Sequence, residues 1–133
     1  MAGAEPDCRN RLAARQRVFQ ILDLGCGLAE GTATFAEPGR VLVGLDYDPA
    51  TAAQAFREKS SLGLMTVCSD GAALSVASES FDWVCSSHLI EHFVEPRFHV
   101  REVARVLDPD GTAFFLTPNK PADFENPYHV YLF

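Results

Sequence analysis

Long apolar runs are missing from this sequence of 133 residues. No stretch approaches the ~20 residues that a membrane helix needs, so no spanning helix is expected. Met1–Asn10 is polar, without the apolar core of a secretory signal peptide. Cysteine is sparse and unpaired in spacing. Cys8, Cys26, Cys68 and Cys85 form no Cys-x-x-Cys pair and no zinc-type Cys/His pattern. Disulfides and a metal centre are therefore not expected, and a cytoplasmic setting is. Three of the cysteines lie in apolar segments, where Cys behaves as a small core residue. Basic residues are also few: 11 Lys and Arg stand against 18 Asp and Glu, for a net charge of −7. Residues 1–20 hold Arg9, Arg11, Arg15 and Arg17 against Glu5 and Asp7, leaving +2 there and −9 over the remainder. That balance argues against nucleic acid as a partner. It suits a cationic small molecule, although solubility alone also accounts for it.

The material for one core is present, with 47% hydrophobic residues and ten Phe. Short apolar runs alternate with helix-like segments, the pattern of βαβ units and a parallel sheet. The expected strands are Val18–Leu24, Val41–Leu45, Leu64–Cys68, Phe81–Ser86 and Thr112–Thr117. The expected helices are Glu30–Ala36, Pro49–Ser60 and Pro96–Leu107. Asp48 is placed to cap the second, with Pro49 in its first turn. In the third, Val100, Val103 and Leu107 share one face at helical spacing. Asp108-Pro109-Asp110-Gly111 reads as a stop and a turn. Residues 1–17 form a basic segment expected to be helical, 18–117 the core, and 118–133 a loop and tail.

The segment Ile21-Leu22-Asp23-Leu24-Gly25-Cys26-Gly27-Leu28-Ala29-Glu30-Gly31 runs from a buried-type strand into a glycine turn. Gly25 and Gly27 permit a sharp turn and close backbone approach. The dinucleotide pattern G-x-G-x-x-G fails, because Glu30 stands where a pyrophosphate wants no negative charge. A nicotinamide-dependent oxidoreductase is accordingly the weaker alternative. Asp23, at the end of a buried strand, needs a partner, and a ligand ammonium would serve. The alternative is that Asp23 only ties down the loop. Asp46 ends the second strand, at a spacing suited to the two hydroxyls of a ribose. Asp70 ends the third strand beside Gly71. It reads equally as a contact for an exocyclic amine, with the Gly71 N–H on a ring nitrogen, or as a turn-forming Asp-Gly.

These segments resemble the class I S-adenosylmethionine-dependent methyltransferases of the small-molecule type. The resemblance is carried by Leu22–Gly27, Gly44-Leu45-Asp46, Ser69-Asp70-Gly71, Ser80–Phe93 and Glu102–Gly111, in the family's order. It implies a Rossmann-like α/β fold: an open, mostly parallel sheet of order 3-2-1-4-5 with helices on both faces. Strands 6 and 7 of the full family sheet are not accounted for by this chain. The resemblance further implies S-adenosylmethionine as cofactor and S-adenosylhomocysteine as product. Asp23, Gly25, Cys26 and Gly27 would hold the methionine end, Asp46 and Tyr47 the ribose, and Asp70 and Gly71 the adenine. Ser86, Ser87 and His88 would flank the sulfonium.

Transfer by in-line displacement to a small O- or N-acceptor follows, with proximity supplying most of the catalysis. An acceptor that must lose a proton needs a base. His88, Glu91 and His92 are the candidates, and the two histidines would share a face if helical. His88, Asn119 and His129 are candidate substrate contacts. His99 is expected at the surface, and Cys85 in the core. The family often has a third Gly where Ala29 stands. A binding or assembly module without catalysis is the alternative from another class. The open edge of the fifth strand is expected to be covered by residues 118–133, by a second copy, or by a longer chain.

Overall fold

The computed structural model describes residues 18–118. Its five strands are β1 (Phe19–Leu24), β2 (Arg40–Asp46), β3 (Leu64–Cys68), β4 (Phe81–Ser87) and β5 (Leu107–Leu116). The helices are α1 (Glu30–Ala33), α2 (Pro49–Lys59) and α3 (Pro96–Val106), with 3-10 turns at Ser60–Leu62 and Ile90–His92. All neighbouring strands run parallel, in the order β3-β2-β1-β4-β5. The segments Asn119–Phe133 and Met1–Arg17 lie outside the described residues, and with them Cys8, Asn119, His129 and the expected N-terminal helix.

The sheet is apolar on both faces, as a parallel sheet covered by helices must be. Ile21 and Leu42 point to one face and pack with Ala55 of α2, Leu64 and Ala29. Leu22, Leu24, Val43, Leu45 and Val84 point to the other and pack with Val103 and Val106 of α3. Ile21, Leu22, Leu24, Leu42 and Val84 are fully buried. Each such side chain contributes about 1.5–3 kcal/mol relative to exposure. α2 begins as the sequence suggests, with the Thr51 N–H donating to Asp48 Oδ2 at 2.9 Å. Arg105 of α3 ties down the long segment between β3 and β4. It pairs with Glu102 at 2.8 Å and donates to the carbonyls of Leu74 and Val76.

Four expectations require correction. α1 ends at Ala33 rather than Ala36. Asp108–Gly111 does not stand outside the sheet but forms the bulged start of β5. Phe81 pairs with Leu107 and Trp83 with Thr112, so four residues stand opposite Asp82 alone. Gly111 is needed there, because a Cβ would lie 2.9 Å from the Asp82 carbonyl oxygen. On α3 the buried stripe is His99, Val103 and Val106, while Val100 is exposed. His99 is thus in the core and not at the surface, because it meets both a hydroxyl and a carbonyl there. Among the described residues, no helix is long and apolar enough to cross a membrane.

Candidate cofactor site

The turn after β1 is held by the neighbouring strand. The N–H groups of Gly25 and Cys26 both donate to the Leu45 carbonyl, at 2.8 and 3.0 Å. This sharp turn requires left-handed backbone at Gly25 (φ 70) and Gly27 (φ 54). Ala29 adopts φ 60 as well, so the position where the family often has Gly does demand that conformation. Cys26 packs its side chain against Gly44, where a Cβ would come within 2.7 Å of Sγ. Burial, with the charges of Asp23 and Asp46, pushes the Cys26 thiol up to about 12. It is a neutral packing group at neutral pH.

Asp46 stands at the C-terminal end of β2 and accepts the Gly27 N–H at 2.9 Å and the Asp48 N–H at 3.0 Å. A carboxylate offers about four acceptor positions, so two remain for a diol. Asp23 accepts the Thr32 hydroxyl from α1. Burial raises its pKa, and the Thr32 bond only partly opposes this. An incoming ammonium group would relieve the desolvated carboxylate. Glu30 points elsewhere, pairing with Lys59 at 2.9 Å.

A cavity of about 280 Å³ opens beside this turn. Gly25, Leu45, Tyr47, Ser69, Asp70, Gly71, Leu89, His92 and Phe93 line it. Asp70 accepts the Ala72 N–H at 2.8 Å, so it serves the local turn as well as facing the cavity. Tyr47 is largely exposed. The site therefore brings together Gly25, Tyr47, Asp70, Gly71 and His92, with Asp23, Cys26, Gly27 and Asp46 in the adjoining turn. Leu45, Ser69, Leu89 and Phe93 lie within the motifs that carry the resemblance, but no site role was assigned to them from the sequence.

The segment after β4 departs from expectation. Ser86 does not face the cavity; it is buried, and its hydroxyl lies 2.9 Å from His99 Nε2. Ser87, at the end of β4, is exposed. His88 and His92 do not share a helical face, because His88 is left-handed (φ 51) and only Ile90–His92 forms a 3-10 turn. His88 Nδ1 lies 3.7 Å from Glu91 Oε1. Glu91 is buried, and its other oxygen accepts the Thr117 hydroxyl at 3.0 Å. His92 is exposed at the cavity.

Acids at the ends of adjacent parallel strands, around a glycine turn, define a nucleoside-binding α/β domain. The comparisons with known proteins make this specific. The family described as "Methyltransferase domain" matches residues 22–115, and the chain belongs to this family of S-adenosylmethionine-dependent methyltransferases. It is 34% identical over 110 residues to a protein of Mycolicibacterium smegmatis named as a probable S-adenosylmethionine-dependent methyltransferase, covering 83% of this chain and 42% of that one. It is 34% identical over 116 residues to demethylmenaquinone methyltransferase of Corynebacterium urealyticum, covering 85% and 48%. The YcgJ protein of Bacillus subtilis shares the fold, with a TM-score of 0.74 at 24% identity over 92% of this chain and 58% of that one. The chain spans less than half the length of these curated relatives. S-adenosylmethionine is the family's cofactor. The donor set fits it, with a half-buried, desolvated carboxylate for an ammonium and a strand-end carboxylate with spare acceptor capacity for a ribose.

Proposed function

We propose that the chain binds S-adenosylmethionine and supports methyl transfer to a small-molecule oxygen or nitrogen acceptor. One observation carries this reading: Asp23, Asp46 and Asp70 stand at the ends of β1, β2 and β3, around the Gly25–Gly27 turn and its cavity. Asp23 and the turn hold the amino-acid end. Asp46 takes the ribose hydroxyls, with Tyr47 beside it. Asp70 and the Gly71 N–H face the adenine edge. The bound cofactor supplies an electrophilic methyl group on a sulfonium. The protein's part is to orient the acceptor in line with that bond and to exclude water. A hydroxyl or ammonium acceptor also loses a proton, and His88 is the base assigned to it. Glu91 Oε1 lies 3.7 Å from its Nδ1. His92 sits on the cavity wall. Asn119 and His129 remain substrate candidates on the sequence reading alone, as does the cytoplasmic setting.

Relatives named as ubiquinone biosynthesis O-methyltransferases support trying hydroxyl acceptors first. The test is transfer of labelled methyl from S-adenosylmethionine to a panel of small phenols, alcohols and amines. Labelled product that disappears in a His88→Ala variant supports the assignment. Cofactor binding without transfer to any acceptor would favour the second reading, a binding module without catalysis. The observation favouring that reading is the exposure of Phe114, Phe115 and Leu116 on β5.

A further inference from the structure

We propose that His99 is the positioning residue for the adenine side of the cavity, holding the Gly71 carbonyl and the Phe93 ring where a purine is to fit. This rests on the reading of Asp70 and Gly71 as adenine contacts. His99 lies on α3 and is fully buried. Both ring nitrogens are used: Nδ1 is 2.8 Å from the Gly71 carbonyl oxygen, and Nε2 is 2.9 Å from the Ser86 hydroxyl. A carbonyl only accepts, so Nδ1 carries the hydrogen. Nε2 then accepts from Ser86 in the neutral ring. Burial lowers the imidazole's proton affinity and keeps that neutral form, although the Gly71 bond opposes it.

The imidazole also sets an aromatic wall. Phe93 stacks on it with centroids 4.7 Å apart and planes at 18°. Phe115 meets its edge at 6.0 Å. Phe93 and Gly71 both line the cavity, while His99 stands behind them. The three groups leave no slack. A Cβ on Gly71 would lie 2.7 Å from Phe93 Cζ and 3.5 Å from His99 Nδ1. The rest of the buried stripe of α3 is valine, which packs without any polar demand. A histidine there is costly unless both nitrogens are satisfied. One of its two partners is the backbone of the cavity loop itself. The arrangement thus ties the loop after β3 to α3 and to the inside of β4, and fixes the spacing between the Gly71 edge and the Phe93 face.

The test titrates the full chain with adenosine and with S-adenosylhomocysteine. His99→Asn can still donate to the Gly71 carbonyl from the Nδ1 position, whereas His99→Gln reaches toward Ser86 instead. The Gln variant is expected to bind both ligands roughly tenfold more weakly, and the Asn variant within roughly threefold of the wild type. If the wild type binds neither ligand, the adenine reading fails and the inference falls with it. If the wild type binds and the Gln variant matches it, or both variants lose affinity equally, only the positioning role is overturned. A wild-type measurement covers variants that do not fold. In ¹⁵N spectra, His99 should carry its hydrogen on Nδ1, and its ring and the Gly71 amide should shift as adenosine saturates. A hydrogen on Nε2, or resonances indifferent to bound adenosine, would overturn the proposal.

Discussion

On the β2 side of β1, the turn is held by named hydrogen bonds. Gly25 and Cys26 donate to Leu45, and Gly27 and Asp48 donate to Asp46. On the β4 side, hydrogen bonds also hold the segment, from the His88 N–H to the Leu116 carbonyl at 2.8 Å and from the Thr117 hydroxyl to Glu91 at 3.0 Å, but apolar and titratable side chains are left exposed there. His88 is exposed, 3.7 Å from its carboxylate neighbour, and β5 beyond it presents Phe114, Phe115 and Leu116 at 50%, 42% and 60% exposure. The difference reflects how each side is made. The turn after β1 is held by the strand beside it, β2. The β4 side joins the segment after β4 to the end of β5, and such loops carry specificity.

The comparison can be broken first at Gly25. Gly25→Val forces a branched side chain into φ 70 and against Leu89, whose Cδ1 lies 3.3 Å from the added Cβ. Chemical denaturation should show a loss of about 2–4 kcal/mol. A stable Gly25→Val variant would mean the turn is not as constrained as its hydrogen bonds indicate. Asp46→Ala comes next. It should weaken S-adenosylhomocysteine by about 1.5–3 kcal/mol, the value of charged hydrogen bonds to a ribose. Unchanged affinity would move the ribose elsewhere.

Asp23→Asn separates stability from binding. The folded pKa of Asp23 is raised, so its charged form is disfavoured in the native state. The stability that this group contributes is present below its unfolded value and lost as pH rises through the raised folded value. The Asn variant should therefore equal or exceed the wild type in stability at neutral pH, with the gap closing as acid protonates Asp23. Its affinity for S-adenosylhomocysteine should fall by roughly tenfold, because the ligand ammonium loses its partner. Denaturation curves at several pH values, with parallel ligand titrations, check both halves. Ala29→Gly should change stability by less than about 1 kcal/mol, since relief of left-handed strain offsets the greater backbone freedom of Gly. The smallest effect on binding belongs to Leu116→Lys. It should leave cofactor affinity unchanged while lowering concentration-dependent light scattering from the apolar β5 edge.

The sheet was legible because parallel strands buried on both faces read as continuous apolar runs, and β3 was bounded to the residue. β5 was read late because Pro109 and Gly111 signal a turn in sequence, yet a bulge uses the same residues. Asp23 and Asp46 were legible as acids at the ends of buried strands, with a glycine turn between them. Ser86 and His99 were misread for one shared reason. Each looked polar and free in sequence, and each is buried because the other supplies its hydrogen bond. Pairings across 13 residues leave no local pattern. The spacing of His88 and His92 suggested one helical face, but the left-handed backbone at His88 ends that register.

The proposed S-adenosylmethionine site consists of the turn after β1, Asp46 and the adjoining cavity. Calorimetric titration of the 133-residue chain with S-adenosylhomocysteine tests it most directly. Saturable binding of one ligand per chain, weakened in Asp46→Ala, is the expected result. The absence of binding heat at high ligand concentration, from a chain shown to be folded, would contradict it.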